Sequence, residues 1–360
     1  VAHVVGGTRA GSTRVVLNLV AHAERARIAP SICFFAISPA EPEVVAEVGA
    51  LGVPWREVVK RSRFELGAFD RLAAALRALA PELVVVHGFG AYSYGALAAR
   101  AAGARWVVRV EHSPELYGPH YQLVSAASAA WVDSTILVSR YVGDYLAARG
   151  VTLPRPEVIY SGIALERLLA VDEPPFPDGR SGPPRVAMIA RLDEAKDHET
   201  LLAAAALLAR RGRPIALALA GDGPFRARLE EEARRRGLDV RFLGFVVDLP
   251  SLLRETDIAV LSTHFEGFGL AIVDAMAAGR PVVATRVAAV PEVFDDGVEG
   301  LLVPPRDPEA LAGAIAALAD DPTRARAMGL AGRARAATRY ALLPSVRIFE
   351  AHLLRTAGRG

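Results

Sequence analysis

Short apolar runs rich in β-branched residues alternate along this chain with longer Ala- and Leu-rich segments whose apolar positions recur at helical spacing. Strands covered on both faces read as continuous apolar runs, so this alternation predicts βαβ units and parallel sheets. In the first half the strand candidates are Val1–Val5, Ser31–Ile37, Leu83–Val86, Trp106–Val110, Thr135–Val138 and Val158–Tyr160. Helical segments such as Thr13–Arg25, Phe69–Leu79 and Arg140–Arg149 fall between them. The pattern then breaks where Pro174, Pro175, Pro177, Gly179, Gly182, Pro183 and Pro184 crowd one polar stretch, which reads as a linker. A second series follows, with strands at Val186–Ile189, Ile215–Ala220, Val240–Leu243, Ile258–Leu261, Pro281–Ala284 and Leu301–Val303. Helices Thr200–Arg211, Phe225–Arg236, Leu270–Ala278 and Pro308–Leu318 intervene, and the chain from Pro322 onward reads as helical. The expected organisation is a first domain over 1–168, a linker over 169–184, a second domain over 185–340 and a helical tail over 341–360, the first domain being the tail's candidate packing surface.

Composition supports two folded domains. The chain has 360 residues, 52% hydrophobic and 23% charged, enough apolar material for two cores and too much for a disordered chain. A net charge of +2, with acids and bases mixed, argues against a dedicated nucleic-acid binder. One cysteine, Cys33, excludes an intrachain disulfide or a Cys-based metal site, and it reads as a small buried hydrophobe. The opening VAHVVGGTRAGS lacks the basic-then-apolar order of a secretory signal, and no apolar stretch reaches membrane-spanning length. The expectation is a soluble, cytoplasmic protein. Among 42 basic residues only Lys60 and Lys196 are lysines, so each stands out against an arginine background.

Ligands of doubly wound sheets bind beyond the carboxyl ends of the strands, which makes those ends the places to look for chemistry. The first strand runs into Gly6-Gly7-Thr8-Arg9-Ala10-Gly11, which lacks dinucleotide-binding spacing; a tight turn and an anion-binding loop both remain open. His87 and His112 end two strands of one sheet and are candidates for function, His112 the better of the two, and no metal-ligand spacing accompanies them. Arg191 and Lys196 share one loop after Ile189, a fork and a point charge of the kind that hold a diphosphate. Ion pairing with Asp193 or Asp197 is the plainer alternative for them. Gly221-Asp222-Gly223-Pro224 reads first as a turn and second as a ligand loop. After Leu261, Gly267-Phe268-Gly269 opens onto a helix whose start is an anion site, with Glu266 just before it and Asp274 about one turn inside. Side chains lean toward a helix's N-terminus, so Asp274 leans back toward the same place.

Together these residues resemble the retaining GT-B glycosyltransferases of family four, also grouped as glycosyl transferases group 1. The resemblance lies in Ala190-Arg191-Leu192 with Lys196, Gly221–Pro224, Phe242-Leu243-Gly244, and Glu266–Gly269 with an acid eight residues on at Asp274. In the first half it is looser, through Gly6-Gly7, Asn18-Leu19, Glu111-His112, Val138-Ser139 and Gly162. The resemblance implies an α/β protein of GT-B architecture, with two Rossmann-like doubly wound domains facing a central cleft. It also implies that Arg191 and Lys196 hold a donor diphosphate, Glu266 the sugar hydroxyls, the Gly267, Phe268, Gly269 and Leu270 backbone the sugar and phosphate, and Asp274 the ribose. Backbone near Phe245 and Val246 would meet the base, His112 the transferred sugar, and Gly7 the diphosphate side. Three positions depart from the family: Asp274 stands for the usual Glu, Ser161 for Asn and Ala190 for Gly.

The implied activity is retaining, metal-independent hexosyl transfer from a nucleotide-diphosphate sugar, UDP-sugar favoured, to a saccharide or lipid-linked acceptor in envelope polysaccharide or glycolipid synthesis. No resident cofactor is implied, and no Asp-x-Asp metal clamp occurs in the chain. The alternatives are a nucleotide-sugar 2-epimerase of the same fold and a non-catalytic two-lobed sugar-binding protein. The basic stretch holding Arg56, Lys60, Arg61 and Arg63 reads first as a solvated loop and second as a peripheral contact with an anionic membrane.

Overall fold

The computed structural model describes residues 1–8, 11–62, 65–112, 119–172, 174–176 and 181–358. Among these, two sheets form, each parallel throughout. The first holds β1 (Ala2–Val5), β2 (Ser31–Ala36), β3 (Trp55–Val59), β4 (Leu83–His87), β5 (Trp106–Glu111), β6 (Ser134–Leu137) and β7 (Pro156–Val158) in the order β3-β2-β1-β4-β5-β6-β7. The second holds β8 (Arg185–Ile189), β9 (Ala216–Ala220), β10 (Val240–Gly244), β11 (Ile258–Leu261), β12 (Val282–Thr285) and β13 (Gly300–Val303) in the order β10-β9-β8-β11-β12-β13. Every residue of β1, β4, β6, β11 and β12 is buried, which is why these strands read as mainly apolar runs without a polar face. In each sheet the strand order reverses once, between β1 and β4 and between β8 and β11. Such switch points open a crevice at the carboxyl ends of the strands.

One strand escaped the hydrophobic pattern. Residues 55–59, expected as part of a basic loop, form the edge strand β3, paired in register with β2 from Ile32↔Trp55 to Ala36↔Val59. An edge strand is covered less than a central one, so exposed Arg56 and Glu57 interrupt its apolar run. The strand expected at Val158–Tyr160 lies slightly earlier, at Pro156–Val158.

The chain divides into two compact units, Val1–Gly162 with Leu342–Gly360, and Ile163–Ala341. The boundary expected at 168 therefore lies at 162. Within the first unit the helix Leu342–Thr356 is tied down by polar contacts, Ser134 Oγ meeting His352 Nε2 at 2.9 Å and Ser345 Oγ donating to Tyr160 O at 2.8 Å. The stretch expected as a linker is held against the second unit over its described part. Arg333 donates to Val171 O, and Arg326 to Pro175 O and Phe176 O. Pro177 and Gly179 lie outside the described residues.

Fully buried Asp257 is the anchor of this region. It accepts from Phe176 N at 2.9 Å, from Arg185 N at 2.8 Å and from the Arg185 guanidinium at 2.8 and 3.2 Å. Burial alone would raise its carboxyl, but the bonds from Arg185 and Phe176 outweigh that and hold it below the ordinary 3.8. A depressed carboxyl adds stability in full above its unfolded value, and this is lost as pH falls through the lower folded value. Asp257→Asn is expected to cost about 2 kcal/mol at neutral pH, a charge-assisted bond's worth. Equal urea midpoints for the variant and the parent would refute this.

Candidate functional site

The loops that follow β8, β9, β10 and β11 are bonded to one another within the second unit. Ala190 N donates to Ala220 O at 2.9 Å, Leu192 N to Asp222 O at 3.0 Å, and Gly221 N to Gly244 O at 2.7 Å. Gly221 has φ +143°, and a Cβ there would lie 1.9 Å from Ala190 O; one on Gly223 would lie 2.4 Å from Leu192 O. These glycines are demanded by backbone packing, so the close-packed turn accounts for both of them.

After β8 the chain makes a short 3₁₀ turn, Glu194–Lys196, and reaches Asp197 at φ +41°. Asp197 caps the helix His198–Arg210, its carboxylate accepting from Thr200 N at 3.3 Å. The loop after β11 grips this turn. Thr263 Oγ1 and His264 N both reach Ala195 O at 2.8 Å, and Ser262 Oγ donates to Asp197 O at 3.1 Å. The two loops flanking the switch point are thereby fixed, and Lys196 is brought to Glu266, with Nζ 2.6 Å from Oε2. Both side chains are mostly buried yet still reach solvent, at 20% and 17% exposure. An ammonium has three protons and a carboxylate about four lone-pair sites, so each retains capacity for a further partner. Sequence reasoning gave the two residues separate ligands; the structure joins them first to each other.

Arg191 lies on the same loop, but its side chain is 67% exposed and its guanidinium pairs with Asp193 at 2.7 Å. The plainer alternative from the sequence is thus the arrangement observed. Such exposed pairs are weak and exchange readily for a better anion. His198 is buried nearby and is pushed down to about 4, chiefly by burial, with Asp193 opposing and the Lys196 charge adding to the effect.

Beyond Glu266, Gly269 at φ +99° opens the helix Leu270–Ala277 with no side-chain cap and no acid in its first turn. That leaves the helix start positively biased. Half-buried Asp274 sits one turn inside. Phe268 is turned away from solvent, buried edge-on against Tyr340 with ring centroids 5.4 Å apart, so only its backbone is a candidate for contact. Past β10, Phe245 is 51% exposed, while Val246 packs against the core cluster containing Ala187 and Leu252.

The remaining candidates lie in the first unit. A Cβ on Gly7 would fall 2.5 Å from Ala40 Cα, so close packing accounts for that glycine; Arg9 and Ala10 lie outside the described residues. His112 is half-buried, with Nε2 3.0 Å from His87 Nδ1. Lys60 is only 5% exposed, its ammonium 4.9 Å from the Phe35 ring centroid and 5.7 Å from that of Tyr94. That corrects its place in a membrane-facing basic patch, because the charge is turned onto aromatic rings inside the unit. Arg56 and Arg61 are exposed, and Arg63 lies outside the described residues. No helix among the described residues is long and apolar enough to cross a membrane.

Comparison with known proteins bears on this arrangement. Residues 183–321 match the profile of the glycosyl transferases group 1, and residues 9–167 match that of Glycosyltransferase Family 4. The chain belongs to glycosyltransferase family 4. This family-4 chain is 37% identical over 164 residues to the alpha-D-kanosaminyltransferase of Streptomyces kanamyceticus, covering 44% of this chain and 42% of that one. It is 31% identical over 261 residues to the GDP-mannose-dependent alpha-(1-6)-phosphatidylinositol monomannoside mannosyltransferase of Mycolicibacterium smegmatis, covering 65% and 66%. The chain spans under half the length of several curated relatives that it matches. In fold it is similar to Anabaena HepE in complex with UDP and glucose, with a TM-score of 0.82 and 21% identity over 98% of both chains. The fold is GT-B, built from two Rossmann-like parallel α/β units.

Two residues of these family-4 units were missed in the sequence. His264 Nδ1 lies 3.5 Å from Asp197 Oδ2, too far for a hydrogen bond, and both atoms are buried without a hydrogen-bond partner. His3 was missed as well, although a polar residue inside a buried apolar strand was a visible signal.

Proposed function

We propose that the chain is a retaining hexosyltransferase that takes its sugar from a nucleotide-diphosphate donor, with UDP-sugar favoured. The observation that carries this reading is the Lys196–Glu266 pair, held 2.6 Å apart beyond β8 and β11 and next to the uncapped helix start at Gly269. A cation, a hydroxyl-binding carboxylate and a row of backbone N–H groups converging at a switch point suit a glycosyl diphosphate. When the bond between the sugar C1 and the phosphate oxygen breaks, negative charge grows on the diphosphate and the sugar becomes oxocarbenium-like. Lys196, the helix start and Arg191, released from Asp193, stabilise the departing diphosphate. Glu266 orients sugar hydroxyls, and Asp274 takes the ribose, reaching about 1.5 Å less far than the family's Glu. The acceptor hydroxyl attacks the face the diphosphate leaves, so its oxygen forms the new bond to C1 with retention and its proton passes to the departing phosphate. His112 is assigned to the transferred sugar.

The reading of UDP is supported by UDP and glucose bound to the structurally similar HepE, and the lipid-linked or saccharide acceptor by the mannosyltransferase relative. We propose metal-independent transfer because the chain contains no Asp-x-Asp pair.

Thermal unfolding with nucleoside diphosphates tests the site. UDP at a hundred times its Kd is expected to add about 2.7 kcal/mol of stability, with GDP and ADP adding less. Stronger stabilisation by GDP would replace the base and keep the site. No stabilisation by any nucleoside diphosphate would sink the reading.

A further inference from the structure

Three histidines far apart in sequence form one continuous contact in the first unit. His3 Nδ1 is 3.0 Å from His87 Nε2, and His87 Nδ1 is 3.0 Å from His112 Nε2. Strand register explains the meeting. His3 on β1 pairs with Val85 on β4, and His87 stands two residues beyond Val85; His87 pairs with Val110 on β5, and His112 stands two residues beyond Val110. Side chains alternate along a strand, so a step of two residues per strand keeps all three rings on one face, climbing diagonally toward the carboxyl edge. Both ring pairs have centroids 5.3 Å apart, and Phe349 stacks on His3 at 6.3 Å.

The surroundings favour neutral rings. Burial pushes His3 down to about 3 and His112 down to about 4. His87 lies well below its ordinary value through burial and its two histidine neighbours. The cavity of about 20 Å³ beside His112 is lined by Val15, Leu19, Ile136, Val138 and Phe349 among others, with no acid among the described lining residues. Glu111 falls on the opposite strand face by alternation and pairs with Arg109 at 3.2 Å.

A neutral imidazole carries one N–H and one acceptor nitrogen. One proton per ring and two N···N contacts leave two self-consistent arrangements. In the first, all three rings carry Nδ1–H: His3 donates to His87, His87 donates to His112, and His112 Nδ1 offers a donor onward. In the second, all three carry Nε2–H, the donations run back toward His3, and His112 Nδ1 is an acceptor. Any mixture puts two protons, or none, between a pair of buried nitrogens, which leaves buried polar groups unsatisfied.

We propose that the three imidazoles act as a single tautomeric unit, in which His3 and His87 are positioning residues that decide whether His112 presents a donor or an acceptor at Nδ1. In many sites a carboxylate fixes an imidazole's tautomer; here a second and a third imidazole take that part. The consequence for transfer rests on the reading above, in which His112 meets the sugar. A sugar hydroxyl can donate or accept, and the histidine chain selects which hydrogen bond it makes.

Nitrogen-15 NMR of the imidazoles in the full chain at pH 7, without substrate, tests the coupling directly. All three rings are expected in the same tautomer. His3→Phe keeps an aromatic ring against Phe349 but removes the terminal nitrogens, and it should shift the tautomer ratio of His112 two rings away. It should also lower kcat about tenfold with the donor KM unchanged. His3→Gln, whose amide can donate or accept, should restore part of both. Opposite tautomers at His87 and His112, or a His112 signal indifferent to His3→Phe, would overturn the proposal. Undiminished turnover in His112→Ala would instead remove the sugar contact, a failure separable from the NMR result because that is read without substrate.

Discussion

Lys196→Ala is expected to lower turnover by roughly 10²–10³, the loss that follows removal of one preorganised transition-state donor. The ammonium is held 2.6 Å from Glu266 on a turn bonded to the opposing loop through Ala195 O, so its position is set before any ligand arrives. Preorganisation is what makes a single donor worth so much, because no reorganisation accompanies the growth of charge. The variant also leaves Glu266 without its cation, so sugar binding should weaken alongside turnover. Lys196→Arg should recover little, since a planar fork does not reproduce a compact point charge on a shorter reach. Steady-state kinetics with a UDP-sugar measures the effect, and near-parental turnover in Lys196→Ala would remove the diphosphate role.

Gly221→Ala is expected to destabilise the second unit by about 4 kcal/mol or more, combining backbone strain with a clash that the surroundings cannot relieve. The added Cβ would sit 1.9 Å from a backbone oxygen, Ala190 O, and φ is +143°. Gly237→Ala is the control: its φ is +67° with nothing within 4 Å of the added carbon, so only the left-handed strain of about 1 kcal/mol applies. Denaturant unfolding of both variants separates clash from strain. Equal losses would mean that the loops after β8 and β9 are not locked together as described.

Most of the fold was legible in the chain because parallel strands buried on both faces leave an apolar signature. Ile258–Leu261 was placed at its observed ends, and the other strands of the second sheet to within a residue. Trp55–Val59 was not, because an edge strand keeps polar residues on its uncovered side. Lys60 was misread for a related reason. A lysine beside arginines reads as surface, and nothing local announces that its ammonium folds back over Phe35 and Tyr94.

At the candidate site, residue types and spacings marked Lys196, Glu266 and Gly269, because a cation after one strand and a glycine before a helix are local features. The partner of Arg191 was within reach, because Asp193 lies two residues away on the same loop. That of Lys196 was not, because its pairing with Glu266 depends on which loops are bonded to which. The need for glycine at 221 and 223 comes from the carbonyls of Ala190 and Leu192 packed against them, a contact between loops that no local pattern announces.

By itself, then, the sequence determined two series of buried parallel strands, the order of their elements and the chemical types gathered at the strand ends. Periodicity and turn chemistry are written within a few residues, and so can be read there. Only the tertiary structure decided where the units divide, which charges pair and that His3, His87 and His112 touch. Those contacts follow from strand order and register. A step of two residues per strand across β1, β4 and β5 brings together histidines separated by 84 and 25 residues.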